Sequence, residues 1–295
     1  MNKANKRTLK KASDRIAARA DEALRAADPR INAMSGKITE ALSRSFRILF
    51  RNVDASESLG PSDRAKLRAI AGSLNEAQAH GLEVGSILRD QAKHMTDVAI
   101  RGVYDSVAAA AGVGANAKPV VLEGPDIFRS VRKLLWKRYE KSAERYSGAI
   151  GDRIRSMFRH GVEQRWTWSK IALRLSNDPG MRRVGDLSAG ANRIAEGAGR
   201  VYRFWSERLM RTEGIHALNT AHYDATRRAN AMDPGYVNKW NSSNDKRGCP
   251  QCASLDEAIA ATGREFRSKG GTTALYPPLH PMCRCVVVAW RREWD

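Results

Sequence analysis

Apolar side chains recur every three or four residues over much of the first 232 positions, which is the spacing of one face of an α-helix. The stretch ITEALSRSFRILFRNV (38–53) shows this most clearly, and its apolar face comprises Ile38, Leu42, Phe46, Leu49, Phe50 and Val53. A longer pattern runs from 189 to 232, with an apolar stripe formed by Ile194, Ala198, Val201, Trp205, Leu209 and Thr212. These patterns predict a largely helical body.

The period changes near the end of the chain. YVNKW (236–240) and CRCVVVAW (283–290) are short and rich in β-branched and aromatic residues, which is typical of strands. The stretch 108–126 is rich in small residues and glycine and predicts a linker. We therefore expect a mainly α N-terminal body with a small C-terminal α+β domain. The predicted regions are a basic helical region 1–110, a linker 111–126, a helical body 127–232 and a small β-containing domain 233–295.

The charge of the chain is strongly positive. It has 295 residues, with 51 Lys+Arg against 32 Asp+Glu and a formal net charge of +19. The first 199 residues hold 36 of the basic and 22 of the acidic residues, so the excess lies mostly in the helical part. Such a surface attracts polyanions, and double-stranded DNA bound without sequence specificity is the partner that it predicts. The alternative is an ordinary solvated surface. The candidate phosphate contacts are Arg44, Arg47, Arg51, Arg132, Lys133 and Lys137.

Neither a secretory signal nor a membrane span is expected. The N-terminal MNKANKRTLKKASDR is basic but lacks the apolar run of a signal peptide. No run of about 18 uncharged apolar residues is present, so we expect no membrane span. The sequence predicts a protein made in a reducing cytoplasm, where clustered cysteines more often bind metal than form disulfides.

All four cysteines lie in two short motifs. Cys249 and Cys252 have the two-residue spacing with which one tight turn offers two thiolates to a single ion. His280 and Cys283 repeat that spacing in HPMC, and Cys285 is a fifth candidate ligand. Four of these five residues would complete a tetrahedral Zn²⁺ site. Two disulfides or four free thiols are the alternatives.

The expected role of the metal is structural. Ligands about 30 residues apart would join two segments of a domain that is too small for a large core. Four protein ligands leave no open position for a catalytic water. A proton-transfer site built from Glu213, His216 and His222 is a further reading, against the more frequent one of a polar seam on an amphipathic helix.

Three motifs together resemble the phage Mu F-like family of minor head and head morphogenesis proteins. They are LMRTEGIHALNTAHYDA, KWNSSNDKRGCPQCASLDE and PPLHPMCRC, and the resemblance covers about residues 165–290. It implies a protein of the capsid interior near the portal of a tailed phage or prophage, which aids head assembly or DNA packaging and delivery. The portal protein and other capsid proteins are the implied partners. By position, the family motif residues besides the cysteines and His280 are Arg211, Thr212, Glu213, Trp240, Asp245 and Arg247.

The chain departs from the family pattern at one position. The family often has glycine after Leu-Asp where this chain has Glu257, which questions the turn that follows the first cysteine pair. Arg211 and Glu213 are two apart on a helix and do not face each other. We therefore hypothesise that each reaches a partner elsewhere, such as Asp245 or Arg247, and so connects the helix to the β-containing domain.

We expect a protein without enzymatic activity. The main alternative is a zinc-containing nuclease, because such domains also combine a Cys-x-x-Cys pair with a later His and Cys. A nuclease would additionally need a catalytic His and a second metal site, and the sequence shows no such constellation. An effector enzyme is a third reading, for which the chain leaves no room after Cys285.

Overall fold

The structure of the protein is a computed structural model. It describes residues 22–111, 127–177, 187–242 and 248–292, together with positions 7, 11, 14–16 and 18–19. Side chains are not described at 99–100, 102–132 and 134. Most of the predicted linker, from 112 to 126, lies outside these ranges, as do Asp245 and Arg247.

Helices account for most of the described chain. In chain order they are α1 (Asp28–Leu49), α2 (Arg64–Ala69), α3 (Ala71–Ala111), α4 (Ile127–Glu163), α5 (Trp168–Ser176), α6 (Leu187–Met232) and the single turn α7 (Pro250–Ala253). A 3₁₀ turn, Pro61–Asp63, leads into α2. No helix in these ranges carries an apolar stretch that would cross a lipid bilayer.

The strands lie in the C-terminal part of the chain, as predicted. They are β1 (Tyr236–Asn241), β2 (Ile259–Ala261), β3 (Phe266–Arg267), β4 (Thr273–Ala274) and β5 (Val286–Arg291). β1 is the central strand of an antiparallel sheet of order β2-β1-β5, in which Trp240 pairs with Val287. β3 and β4 form a separate hairpin. The predicted class, a helical body with a small C-terminal α+β part, is confirmed.

The chain forms two compact units that do not follow chain order. We call Asp28–Ile87 with Tyr139–Glu207 the helical unit. We call Met1–Ala27 with Leu88–Arg138 and Arg208–Asp295 the mixed unit, because it contains both sheets. The helices α3, α4 and α6 each contribute residues to both units. The predicted domain boundaries at 110, 126 and 232 stay predictions.

Aromatic side chains fill the core of the helical unit. Trp168 is buried and packs edge-on against Phe50 and Phe158, with ring centroids 5.7 and 5.8 Å apart. Thr167 caps α5, since its side chain accepts a hydrogen bond from the amide of Lys170. The segment before α5 is held by a backbone hydrogen bond from Leu59 to Trp166. The core of the helical unit therefore contains residues from both of its chain segments.

The predicted apolar faces are correct in part. Five of the six predicted residues on the face of α1 are buried, and the helix ends at Leu49, before Val53. On α6 the predicted stripe is wrong at Trp205, whose side chain is 44% exposed. Tyr202 and Ser206 are buried instead. Tyr146 accounts for the difference, because its hydroxyl hydrogen-bonds with the Ser206 hydroxyl and with the Tyr202 carbonyl, which favours a polar seam at this point of α6.

Candidate metal centre

The first cysteine pair lies on the turn that leads into α7. Cys249 is the N-cap of this helix in an extended conformation, and Pro250 occupies its first position. The Sγ of Cys249 accepts a hydrogen bond of 3.2 Å from the amide of Cys252. The thiolate is the form of cysteine that binds metal. The turn therefore presents two sulfurs in the arrangement that the spacing predicted.

The imidazole of His280 is oriented as a ligand. Its Nδ1 lies 2.8 Å from the carbonyl oxygen of Pro281, which can only accept a hydrogen bond. Nδ1 therefore carries the proton, and Nε2 keeps a free lone pair. Nε2 lies 3.1 Å from Sγ of Cys249 and 3.2 Å from Sγ of Cys252. A histidine whose second nitrogen is fixed by a carbonyl is the usual arrangement at zinc sites.

The five candidate ligands form two groups of three that share Cys252. One group is Cys249, Cys252 and His280, and the other is Cys252, Cys283 and Cys285; within each group the ligand atoms lie within 4.8 Å of one another. None of the four cysteines forms a disulfide, so the disulfide alternative is not what the structure shows.

The spacing and the donor set fit zinc. Sγ of Cys252 lies 3.8 Å from Sγ of Cys283. Two thiolates at about 2.3 Å from one tetrahedral zinc ion are separated by about 3.8 Å. The imidazole–sulfur distances are a few tenths of an ångström shorter than such a site requires. Soft thiolates with one imidazole select zinc over hard cations such as magnesium. The five side chains could therefore hold a metal ion of this kind.

The thiols influence one another's ionisation. A hydrogen bond from Cys252, with a further one from Cys285, lowers the pKa of the Cys283 thiol. The hydrogen bond to Cys283 and burial raise the pKa of Cys252. The cluster therefore favours one thiolate at Cys283 over several at once, because adjacent negative charges repel each other. A divalent cation removes this repulsion, which is the electrostatic reason for such a cluster to bind metal.

The cluster is continuous with the core of the C-terminal sheet. Trp240 is fully buried and packs against Phe266 with ring centroids 5.3 Å apart, and both belong to the hydrophobic cluster that includes Cys252, Cys283 and Cys285. The predicted motif residue Trp240 thus lies beside the candidate ligands. A metal ion here would join the turn before α7 to the segment before β5.

Glu257 adopts the backbone conformation that favours glycine. Its φ is 60°, in the left-handed region, and its amide donates a 2.9 Å hydrogen bond to the carbonyl of Trp240. The turn that the departure from the family pattern had questioned is therefore formed. The strained glutamate is compatible with the turn and explains why glycine suits this position.

Helix α6 holds the segment around the second cysteine pair through two side chains. The hydroxyl of Thr212 accepts a hydrogen bond of 3.1 Å from the amide of Met282, whose φ of 63° is also left-handed. The side-chain amide of Asn219 donates to the carbonyl of Cys285 at 3.1 Å, and its oxygen accepts from the amide of Val287 at 2.8 Å. Asn219 is fully buried. Residues 212 and 219 lie two helical turns apart on one face of α6.

Asn219 and Arg138 are residues that the sequence reasoning missed. Asn219 occupies the outer edge of β5, where it makes the hydrogen bonds that a neighbouring strand would make. Arg138 forms a two-point ion pair with the buried Glu213, at 2.6 and 3.2 Å. The recurrence of polar residues on α6 at 212, 216, 219 and 223 was the available signal, because a polar residue on a face that should be buried needs a partner.

The structure shows a partner for Glu213, whereas the hypothesised partners of Arg211 lie outside the described residues. Glu213 binds Arg138, a residue 75 positions earlier in the chain. Asp245 and Arg247 lie outside the described residues, so a contact between them and Arg211 stays a prediction.

The two histidines of α6 are buried to different degrees. His222 is fully buried, and neither of its ring nitrogens has a hydrogen-bond partner among the described residues. Burial lowers the pKa of His222 to about 4. Burial and then the charge of Arg138 lower the pKa of His216 to about 4 as well. The ring of His216 packs edge-on against Tyr276, which itself packs against Tyr223. Both imidazoles are thus neutral at pH 7.

We expect the stability of the mixed unit to fall as the pH is lowered from about 6.5 to about 4, because the unfolded chain binds protons that the folded one excludes. Above pH 6.5 the mixed unit has its full stability. The free energy of unfolding that His222 accounts for between pH 6.5 and pH 4 is about 3 kcal/mol, since one pKa unit corresponds to about 1.4 kcal/mol. Urea unfolding at several pH values measures it. His222→Leu should flatten the pH slope, whereas His94→Leu, at an exposed position of α3, should leave it unchanged. An unchanged slope in His222→Leu would contradict this assignment.

The candidate phosphate contacts have different surroundings. Arg44 lies between two carboxylates, at 3.1 Å from Glu40 and 2.5 Å from Glu76, which balance its positive charge. Arg47, Arg51, Lys133 and Lys137 are exposed, and the side chain of Arg132 lies outside the described set. Arg44, Arg47 and Arg51 belong to the helical unit, and Lys133 and Lys137 belong to the mixed unit. Their role as phosphate contacts stays a prediction.

Comparison with known proteins agrees with the motifs. Residues 152–288 match the family model described as Phage Mu protein F like protein, which confirms the resemblance over that segment. The matched segment begins within α4 and ends within β5, and it includes all five candidate ligands. No curated protein and no solved structure matches the chain.

Proposed function

We propose that this protein is a minor head protein of a tailed phage or prophage, located in the capsid interior near the portal, where it aids head assembly or DNA packaging and delivery. The observation that carries this proposal is the match of residues 152–288 to the Mu F-like family. Proteins of this family are structural components of phage heads. The portal protein and other capsid proteins are the proposed partners.

The geometry of the cysteine cluster supports a structural role. Cys252, Cys283 and Cys285 are buried in a hydrophobic core, and His280 faces two sulfurs. We propose that four of the five side chains hold one Zn²⁺. When bound, the ion would supply a cross-link between two chain segments and no chemical step. Residues of the chain position the ligands. Thr212 and Asn219 hold the segment that carries Cys283 and Cys285, and the carbonyl of Pro281 fixes the tautomer of His280.

The charge of the chain supports a location beside packaged DNA. An excess of +14 in the first 199 residues follows from 36 basic and 22 acidic residues. Contacts of this kind are made to phosphates and weaken as salt is added. The nuclease alternative would need a catalytic histidine and a second metal site, and His222 has no exposed surface with which to contact a phosphate. Among the described residues, the groups that could hold a metal are the two that share Cys252.

The test is to look for the protein in particles. We expect it to co-purify with heads from an induced lysate of the strain that encodes it, to resist protease added outside intact particles, and to become accessible after the heads are opened. Deletion of its gene should reduce the yield of DNA-filled heads, and the wild-type gene supplied in trans should restore it. Absence of the protein from purified particles would overturn the proposal.

A separate assay tests the nuclease alternative. The full-length protein should shift plasmid DNA in Mg²⁺ or Mn²⁺ without cutting it. Cleavage that a chelator abolishes, and that co-purifies with the protein through successive columns, would favour the nuclease over the structural role.

A further inference from the structure

The helical unit contains a groove of about 460 Å³ lined by four arginines. Arg64 and Arg68 lie on α2, and Arg155 and Arg159 lie near the end of α4. In each pair the residues are four apart, so the two side chains lie one above the other on the same face of the helix. The groove is therefore bordered by two stacked arginine pairs from separate segments of the chain.

The positive charge of this groove is only partly balanced. Arg155 lies 3.3 Å from the carboxylate of Asp152. Arg64, Arg68 and Arg159 have no ion pair or side-chain hydrogen bond within the described part of the chain. Glu163 also lines the groove, 3.6 Å from His160. Like charges four apart on a helix repel each other, so the free protein carries a repulsion that a bound anion would relieve.

The remaining lining indicates which anion would bind. Leu67, Ala71 and Leu74 supply apolar surface, and none of the eight lining residues is aromatic. Stacking on aromatic side chains is the common way to bind bases, and this groove lacks it. Guanidinium groups bind phosphate oxygens with two parallel hydrogen bonds. The groove thus offers contacts to phosphates and none to bases.

We propose that the groove formed by Arg64, Arg68, Arg155 and Arg159 binds the phosphate backbone of duplex DNA. This rests on the proposed function, which places the protein beside packaged DNA, and it assigns that contact to a defined surface. The groove contains none of the candidate phosphate contacts predicted from the sequence, among which Arg44 is paired with the carboxylates of Glu40 and Glu76.

The experiment compares two variants of the full-length protein that lose the same charge. In the groove variant Arg64, Arg68, Arg155 and Arg159 are changed to Gln. In the control variant four exposed arginines of the same unit that lie outside the groove and are not candidate phosphate contacts, Arg145, Arg153, Arg193 and Arg200, are changed to Gln. Binding to a short duplex of random sequence is measured over a series of salt concentrations. We expect the groove variant to bind about ten-fold or more weakly, with a salt slope reduced by about two to four, since each phosphate contact contributes about 0.9.

Equal losses in the two variants would overturn the proposal, because they would show that net charge alone decides binding. Wild-type binding by the groove variant would also overturn it. Thermal unfolding supplies a second readout: duplex DNA should raise the Tm of the wild type and not that of the groove variant. An equal rise with ATP or inorganic phosphate at the same phosphate concentration would identify a small-anion site instead. A groove variant that fails to bind DNA but still enters particles would leave the proposed function intact.

Discussion

Cys252→Ser is expected to abolish stoichiometric zinc and to unfold the C-terminal sheet. Cys252 is the residue that the two groups of candidate ligands share, so its loss disrupts both of them. Structural zinc sites contribute about 10 kcal/mol or more of binding free energy, and small zinc-dependent domains are unfolded without the metal. Elemental analysis of protein purified without added zinc gives the metal content, and near-ultraviolet circular dichroism reports the packing around Trp240.

Two controls separate the loss of a ligand from a disturbance of the turn. Gln251→Ser changes an exposed residue of the same turn and should leave one zinc per chain. Cys283→Ser and Cys285→Ser, made separately, identify the fourth ligand, because only the variant of that residue should lose the metal. Retention of one zinc per chain by Cys252→Ser would contradict the assignment, as would a wild-type protein with no metal and four reactive thiols.

Asn219→Leu is expected to destabilise the mixed unit by about 3–5 kcal/mol. The asparagine side chain makes three hydrogen bonds, to the carbonyls of Ile215 and Cys285 and from the amide of Val287. Leucine has a similar volume but leaves the carbonyl of Cys285 and the amide of Val287 buried without partners, at about 1–3 kcal/mol each. Urea unfolding measures the change, and zinc retention should weaken in parallel, because Cys285 adjoins the metal centre.

Asn219→Asp gives an independent test of the same contacts. The carboxylate keeps the shape but loses both donors, and it would face two carbonyl oxygens in a buried site, so we expect a loss at least as large as that of leucine. Asn75→Leu, the same substitution at an exposed position of α3, should change the stability by no more than about 0.5 kcal/mol. A loss below about 1 kcal/mol in Asn219→Leu would show that the buried amide contributes little.

The local features of the site could be predicted from the sequence. The spacing of Cys249 and Cys252 specifies a turn with two thiolates, and the β-branched run before Trp290 specifies a strand, because both depend on residues close together in the chain. The same holds for the buried face of α1. Such reasoning fails at Trp205. Periodicity alone cannot show that Tyr146 of α4 provides a hydrogen-bond partner for Ser206, the residue next to Trp205 on α6.

The long-range contacts could not be predicted in this way. Arg138 and Glu213 are 75 positions apart, and Asn219 and Cys285 are 66 apart. No local pattern links such pairs, and the interleaving of chain segments in the two units adds to the difficulty. The choice among the five candidate ligands is equally non-local. It depends on side-chain positions around Cys252, which the regular two-residue spacing does not determine.

The hydrogen bonds from Asn219 also bear on how the C-terminal sheet resists self-association. Strands at the border of a sheet expose amides and carbonyls that can recruit a strand from another molecule, and this leads to aggregation or domain swapping. On one border of this sheet β2 is only three residues long, which offers little template. On the other border Asn219 occupies the groups of Cys285 and Val287. Pairing with a strand of a neighbouring copy is thus disfavoured at the short β2 and at the beginning of β5.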